Sequence, residues 1–455
     1  MSGLTAAPAV SRLNLFEDVA AFTPAAFAQL GQHVKDAWIV EAVARTPGHA
    51  LLRRRKLPAD RTLWLLIGMG LFRDRSIHAV AEQLDLALPG GEGSGGIAVS
   101  ALPKARARLG VEPVERLFEL SAASWAQTTA SAEPWRGLSL LGVDGVCLRV
   151  PDTAANEAAF GRPGSGRSVS GYPQVRIAAL MALRTHVLLR LSVGAFREGE
   201  PTLAQALWAA VPDRSLTLLD RGFLSWWALW QLQTGGVERH WLVRAKANVR
   251  WQIVTRLERG DLLVDVGVAS ALQRAHPELP ETLRMRAVRR QVKGFRPHWV
   301  LTSLLDPVAY PASELALLYH ERWEQELAND EIKTHLLERR EALRSQSPVG
   351  IRQEVAGIAM AYNLVRVAMA RVAGELGVAP RRISFLASLR EIRAWFEWAW
   401  VTSPGALPRH VWSLERRMRQ LVLPERRSAR RYPRHVKIKM SNYARNHGRA
   451  GAVLK

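Results

Sequence analysis

Tyr319–Leu336 reads YHERWEQELANDEIKTHL, and within it Tyr319, Arg322, Glu326 and Lys333 stand at offsets 0, 3, 7 and 14. At roughly 100° per residue those offsets fall at about 0°, 300°, 340° and 320° around a helix. The segment holds good helix formers and no Pro or Gly, which predicts one helix from end to end. One face, about 60° wide, would then carry an aromatic hydroxyl, a guanidinium, a carboxylate and an ammonium. A solvated helix laced with i,i+4 ion pairs has the same look. The segments upstream decide between the two.

Composition narrows the partners. The 455 residues carry 63 Lys+Arg against 41 Asp+Glu, a formal charge of +22. Such an excess points to a polyanion, nucleic acid before membrane. A single cysteine, Cys147, excludes an internal disulfide framework and a Cys-rich zinc site. The N-terminal MSGLTAAPAVSRLNLF lacks a charged region followed by an apolar one, so no secretory signal is expected. The longest apolar run, Thr62 to Phe72, is too short to span a bilayer. The expectation is a basic, cytoplasmic chain with no membrane partner.

Residues up to about 130 read as helical, with apolar helical spacing over Phe22–Ala44 and Ala59–Leu84. Arg53, Arg54, Arg55 and Lys56 form a basic cluster suited to phosphates. After the Gly-rich LPGGEGSGG, Ser100 could cap a short helix bearing Lys104, Arg106 and Arg108. Two readings remain open here, a helix-turn-helix-like DNA-binding module and a helical bundle with a basic surface.

From Leu138 the pattern changes to strands. Leu138–Val150, Gln174–Leu183 and His186–Phe196 read as three strands, the last two joined as a hairpin. Pro201–Ala210 reads as helix, Ser215–Leu219 as a short buried strand ended by Asp220, Phe223–Gln233 as helix, and His240–Lys246 as strand. That succession predicts a mixed sheet flanked by helices. Residues 249–305 read as a β-rich insertion, while Val349–Leu376 and Arg382–Trp400 read as helices. The last thirty residues hold ten Lys/Arg and no Asp/Glu, a tail suited to polyanions.

Asp144 interrupts one apolar strand and Asp220 ends another. A carboxylate in a buried strand is costly unless it is paired or binds metal. With Glu326 the set becomes three oxygen ligands without Cys, which favours Mg²⁺ or Mn²⁺ over zinc. Two such ions suit phosphoryl transfer, in agreement with the charge.

The segments DGVCLRVPDTAAN (144–156) and LLDRGF (218–223), followed by Y-x2-R-x3-E-x6-K, resemble the DDE transposases of bacterial insertion sequences, the insertion-sequence-four group in particular. The resemblance implies an α/β fold: an RNase H-like mixed β-sheet core flanked by helices, with a β-rich insertion. It further implies a helical N-terminal DNA-binding domain over 1–130, a catalytic domain over 131–345 and a helical, basic C-terminal region over 346–455. Asp144, Asp220 and Glu326 would be catalytic and would hold two Mg²⁺ (or Mn²⁺) ions. Tyr319, Arg322 and Lys333 would contact DNA phosphates, joined by Arg54, Arg55, Lys104 and Arg106 from the N-terminal region. Members of the group that cut through a DNA hairpin stack a flipped base on tryptophan, which makes Trp299, and beside it Trp251, candidates for that role. The implied partners are double-stranded DNA, as element ends and as target, and a second copy in the synaptic complex.

Val146 departs from the threonine often found two residues after the first aspartate. Asp330, one turn after Glu326, could be mistaken for the third ligand, but the tyrosine, arginine and lysine register favours Glu326. Asp152 and Asn156 are assigned structural roles, and Trp226–Trp227 helix packing. A nuclease or resolvase on the same fold, and a catalytically silent DNA-binding repressor, are the alternative readings.

Overall fold

A computed structural model describes residues 33–46, 57–86, 96–130, 134–165, 168–169, 171–291, 296–339, 342–401 and 406–425. Its organising element is a nine-stranded sheet. Strands β1 (Ser139–Arg149), β2 (Gln174–Ala182) and β3 (Leu188–Ala195) run antiparallel in turn. Strand β4 (Ser215–Leu219, SLTLL) lies parallel to β1, with Val143 opposite Leu219, and β5 (Arg239–Arg244) lies parallel to β4. All five residues of β4 are buried, as expected of a parallel strand covered on both faces.

The four strands that follow do not form a separate body. They are β6 (Gln252–Glu258), β7 (Asp261–Gly267), β8 (Thr282–Arg290) and β9 (His298–Thr302). β9 pairs antiparallel with β5, so the sheet runs β3-β2-β1-β4-β5-β9-β8-β7-β6. The free N–H and C=O groups on the outer edge of β5 supply the reason, because an unpaired edge accepts a further strand. The expected β-rich insertion is therefore an extension of the core sheet.

Helices cover the sheet. The first are α1 (Asp36–Val43), α2 (Ala59–Leu71), α3 (Ile77–Gln83), α4 (Ala101–Leu109) and α5 (Glu112–Ala130), followed by α6 (Ala154–Phe160), α7 (Glu200–Gln205), α8 (Trp226–Thr234) and α9 (Ser270–Ala275). The single helix expected over 59–84 is broken at residues 72–76, where the Ser76 hydroxyl accepts from the Ala79 N–H (3.1 Å) and starts α3. Every residue of α2 from Arg61 to Leu71 is buried. Its partner is α12 (Pro348–Leu376), started by the Ser347 cap and ended by Gly377 at φ +64°. α12 is long and apolar enough to cross a membrane, yet most of it is buried inside the protein. A helix apolar all round is what the centre of a large core requires.

Two glycines let α2 and α12 meet backbone to backbone. A Cβ on Gly70 would lie 2.7 Å from the Gly357 carbonyl oxygen, and one on Gly357 would lie 2.4 Å from that of Leu66. Residues from both sides of position 130 and of position 345 share the resulting core. Beside it, Glu354 of α12 is buried with Arg73 on its Oε1, and it accepts from the Ser345 hydroxyl (2.6 Å). Arg106 of α4 donates to Gln353 Oε1 (3.2 Å), Ser345 Oγ (2.7 Å) and the Gly350 carbonyl (2.9 Å).

Gly357→Ala should destabilise the protein in denaturant unfolding. Overpacking against a fixed backbone costs about 1–3 kcal/mol, whereas Gly→Ala in a helix gains at most about 1 kcal/mol. Gly374→Ala on the same helix meets nothing within 4 Å and should be neutral or stabilising. Equal effects at the two positions would rule out the backbone contact.

Candidate active site

Asp144 and Asp220 come together because β1 and β4 are parallel neighbours. The last paired residues are Val143 and Leu219, so each aspartate is the next residue along its own strand line. Adjacent strands lie about 4.8 Å apart, which places the two backbones side by side. Asp144 shares its face of β1 with Gly142, and that face receives the helix read from the sequence. A Cβ on Gly142 would lie 2.0 Å from Gln325 Nε2 and 2.8 Å from Leu183 Cδ2, so a side chain there would have to displace both.

The helix runs unbroken through residues 312–336 but changes pitch three times. α10 (Ala312–Leu318) tightens to a 3₁₀ turn over Tyr319–Arg322, α11 spans Trp323–Asp330, and a π-helical turn covers Glu331–Leu336. The uniform 100° per residue expected from the sequence therefore fails across Tyr319–Arg322 and again beyond Asp330. A π turn bonds i to i+5 and is wider, as the Leu337 N–H to Ile332 carbonyl bond (2.8 Å) shows. Lys333, half-buried in that turn, does not share the angular position calculated for it.

Around Glu326 the charges interlock. Arg322 donates to Glu326 Oε1 (3.1 Å) and also senses Asp220 and Tyr319. Asn329 donates from Nδ2 to Asp144 Oδ2 (2.7 Å), whose other oxygen accepts from the Gly145 N–H (2.9 Å). Burial pushes the Asp144 carboxyl above the usual range, with nearby Glu200 and Glu326 pushing the same way, against the Gly145 N–H and Arg322. Asp220 accepts from the Arg221 N–H (2.7 Å) through Oδ1. Asp330 points elsewhere: it is exposed and accepts from the Thr334 hydroxyl (2.7 Å).

Two of the expected phosphate contacts are buried side chains. Tyr319 is 6% exposed, and its hydroxyl donates to the Leu219 carbonyl (3.1 Å), beside Asp220. Burial pushes its phenol up to about 12. Its hydroxyl ties the helix to the end of β4 and is directed away from solvent. Arg106 is 7% exposed, and its guanidinium is engaged by α12 and Ser345, so it too faces inward. Lys104, on the opposite side of α4, is exposed. Arg54 and Arg55 lie outside the described residues, as does the basic tail.

Trp299 is half-buried and packs edge-on against Trp251 (5.8 Å between centroids), while its neighbour His298 packs against Tyr319 (6.3 Å). Trp227 stacks on His276 (3.9 Å). Asn156 is buried and donates to the Pro151 and Ser345 carbonyls. Sequence reading missed Asn329 and Gln325. Asn329 was within reach, since its offset of 10 falls near 280°, beside Arg322, by the same arithmetic.

Among the described residues, no three His, Cys, Asp or Glu side chains form a ready-made metal cage. The donor set nevertheless fits a hard cation, because Mg²⁺ is typically held by one or two carboxylates together with water and substrate phosphate. The guanidinium of Arg322, a cation on Glu326 near Asp220, reports the same negative field.

The strand order β3-β2-β1-β4-β5, with helices on both faces, is that of an RNase H-like core, and this is the class the fold defines. Residues 24–119 match the family described as Insertion element 4 transposase N-terminal, and residues 135–364 match Transposase DDE domain. Transposase InsG for insertion sequence element IS4, from Escherichia coli (strain K12), is 34% identical over 415 residues, covering 91% of this chain and 92% of that protein. Putative transposase InsZ of the same organism is 31% identical over 301 residues, 63% of this chain and 97% of that one. A solved piggyBac transposase synaptic complex with hairpin DNA aligns at TM-score 0.43 and 13% identity over 89% of this chain and 87% of that chain, too distant to bear on the site. The chain belongs to the insertion-sequence-four family of DDE transposases.

Behind the helix, Glu331 is held by Arg366 Nη1 (3.5 Å), His186 Nδ1 (3.4 Å) and the Tyr362 hydroxyl (2.6 Å). Burial pushes its carboxyl up, but Arg366 foremost, then His186 and Tyr362, hold it at about 2, below the ordinary glutamate value of 4.5. A depressed carboxyl contributes stability that is present above its unfolded pKa and is lost as pH falls through the folded one. Acid unfolding should therefore show a decline between pH 4.5 and about 2 that Glu331→Gln lacks. Superimposable pH slopes for the two proteins would contradict the assignment.

Proposed function

We propose that this transposase binds the terminal inverted repeats of its own element, cuts the DNA at each end and joins the freed 3′-hydroxyls to target DNA. The observation that supports this reading is that Asp144 and Asp220 follow the paired ends of neighbouring parallel strands while the helix bearing Glu326 reaches them, through Asn329 on Asp144 and Arg322 near Asp220. Those three carboxylates would hold two Mg²⁺ (or Mn²⁺) ions. Bound there, the ions would supply activation of the attacking hydroxyl and charge stabilisation at the leaving oxygen.

The chain's own residues do the rest. Asn329 and the Gly145 N–H orient Asp144. Arg322, poised on Glu326, offers a planar fork to a scissile phosphate, and Lys333 offers a point charge further along the strand. The exposed Lys104, with Arg54 and Arg55, would contact backbone phosphates in the end sequence, where counterion release supplies affinity. Trp299 is offered as the stacking platform for an extruded base. Two ends must meet, so a dimer is the working unit on DNA, and the site of action is the cytoplasm.

The test is cleavage and joining on a labelled duplex carrying the flanking element ends, with Mg²⁺. Glu326→Gln should lose joined products by more than about 100-fold, since even residues that only support a metal ligand cost 10–100-fold. Asp330→Asn should stay close to wild type. Loss in Asp330→Asn alone would move the third ligand by one turn. Cleavage without joining would indicate a nuclease or resolvase, and binding without cleavage a repressor.

A further inference from the structure

The back of the active-site helix carries a built device that the reaction itself does not call for. Glu324 and Glu331 stand two turns apart on the face away from Glu326, and one imidazole spans them. His186 Nε2 lies 2.9 Å from Glu324 Oε2, and its Nδ1 lies 3.4 Å from Glu331 Oε2. Arg381 meets Glu324 (3.4 Å), while Arg366 and Tyr362 of α12 meet Glu331. His186 is 1% exposed and sits at φ +61° in the turn joining β2 to β3. An L side chain adopts that conformation only where its surroundings hold it.

The clamp straddles the point where the helix changes pitch. Glu324 lies in the α-helical stretch and Glu331 is the first residue of the π turn. A π turn persists only where packing or side-chain bonds retain it, and such turns recur at functional sites. We propose that His186 is a positioning residue: by bridging Glu324 and Glu331 it fixes the rotation of the helix that aims Glu326 at the strand ends and the start of the wide turn that sets Lys333. Its side-chain partners are Glu324 and Glu331, and none of Asp144, Asp220 and Glu326. In its catalytic consequence the inference rests on the reading of Glu326 as a site carboxylate.

His186→Gln, Glu331→Gln and the double variant test it, each first shown to be folded by circular dichroism and gel filtration. In the cleavage assay kcat should fall about 10–100-fold, the range for residues that support a ligand from behind, with half-saturating DNA changed less than threefold. The double variant should be no worse than the poorer single one, because both residues act through one clamp. Unchanged kcat in folded variants, or losses that multiply in the double variant, would overturn the inference.

Hydrogen exchange gives a readout without activity. In His186→Gln, amides of residues 331–339, including the Leu337 N–H on Ile332 and the Arg339 N–H on Lys333, should exchange at least tenfold faster, with β1 unaffected. Were wild type inactive on every duplex, the functional reading would fail while the clamp still stood or fell on exchange. Exchange rates matching wild type would refute it.

Discussion

The absence of a side chain at Gly142 is the constraint on which the site depends. It lets Gln325 press against β1, and that approach brings Glu326, Arg322 and Asn329 over the ends of two parallel strands. The Tyr319 hydroxyl secures the other end of the same contact, on the carbonyl that precedes Asp220. The first is a close steric contact and the second a hydrogen bond. They hold a charged helix against the ends of the two strands that carry Asp144 and Asp220.

Behind that contact, α2 and α12 meet. Two facing glycines remove the usual side-chain spacing between helices, and the buried polar links of Glu354, Arg73 and Arg106 close the same seam. The N-terminal helices are thereby part of the body that supports the sheet. The net charge of +22 is accordingly an imperfect map of the nucleic-acid surface. Arg73, Arg106, Arg286 and Arg366 are all buried, each bonded within the protein. A buried arginine must be paired to be tolerated, so these four contribute to the fold and offer phosphate no free face.

Much of the fold was legible because strands and helices announce themselves by period. β1, the two strands after it, the buried SLTLL strand and α12 lie where the apolar pattern put them. The break at Phe72–Ser76 was missed because the pattern either side of it is continuous, and the Ser76 cap is a single short side chain. The joining of the insertion to the core sheet was missed for a different reason. Alternation along β9 shows that it is a strand, but its hydrogen-bond partner β5 is chosen by an edge more than fifty residues away in the chain.

The amino-acid sequence by itself determined the mixed sheet with its covering helices, the three carboxylates in order, and the helix that bears the last of them. These are local matters of period, propensity and spacing. Only the tertiary structure decided that Tyr319 and Arg106 face inward, that Asn329 reaches Asp144, and that the helix widens at Glu331. A side chain's direction in a packed interior is set by what stands opposite, and a turn's pitch by what grips it. Neither partner is a sequence neighbour, so no pattern along the chain could record them.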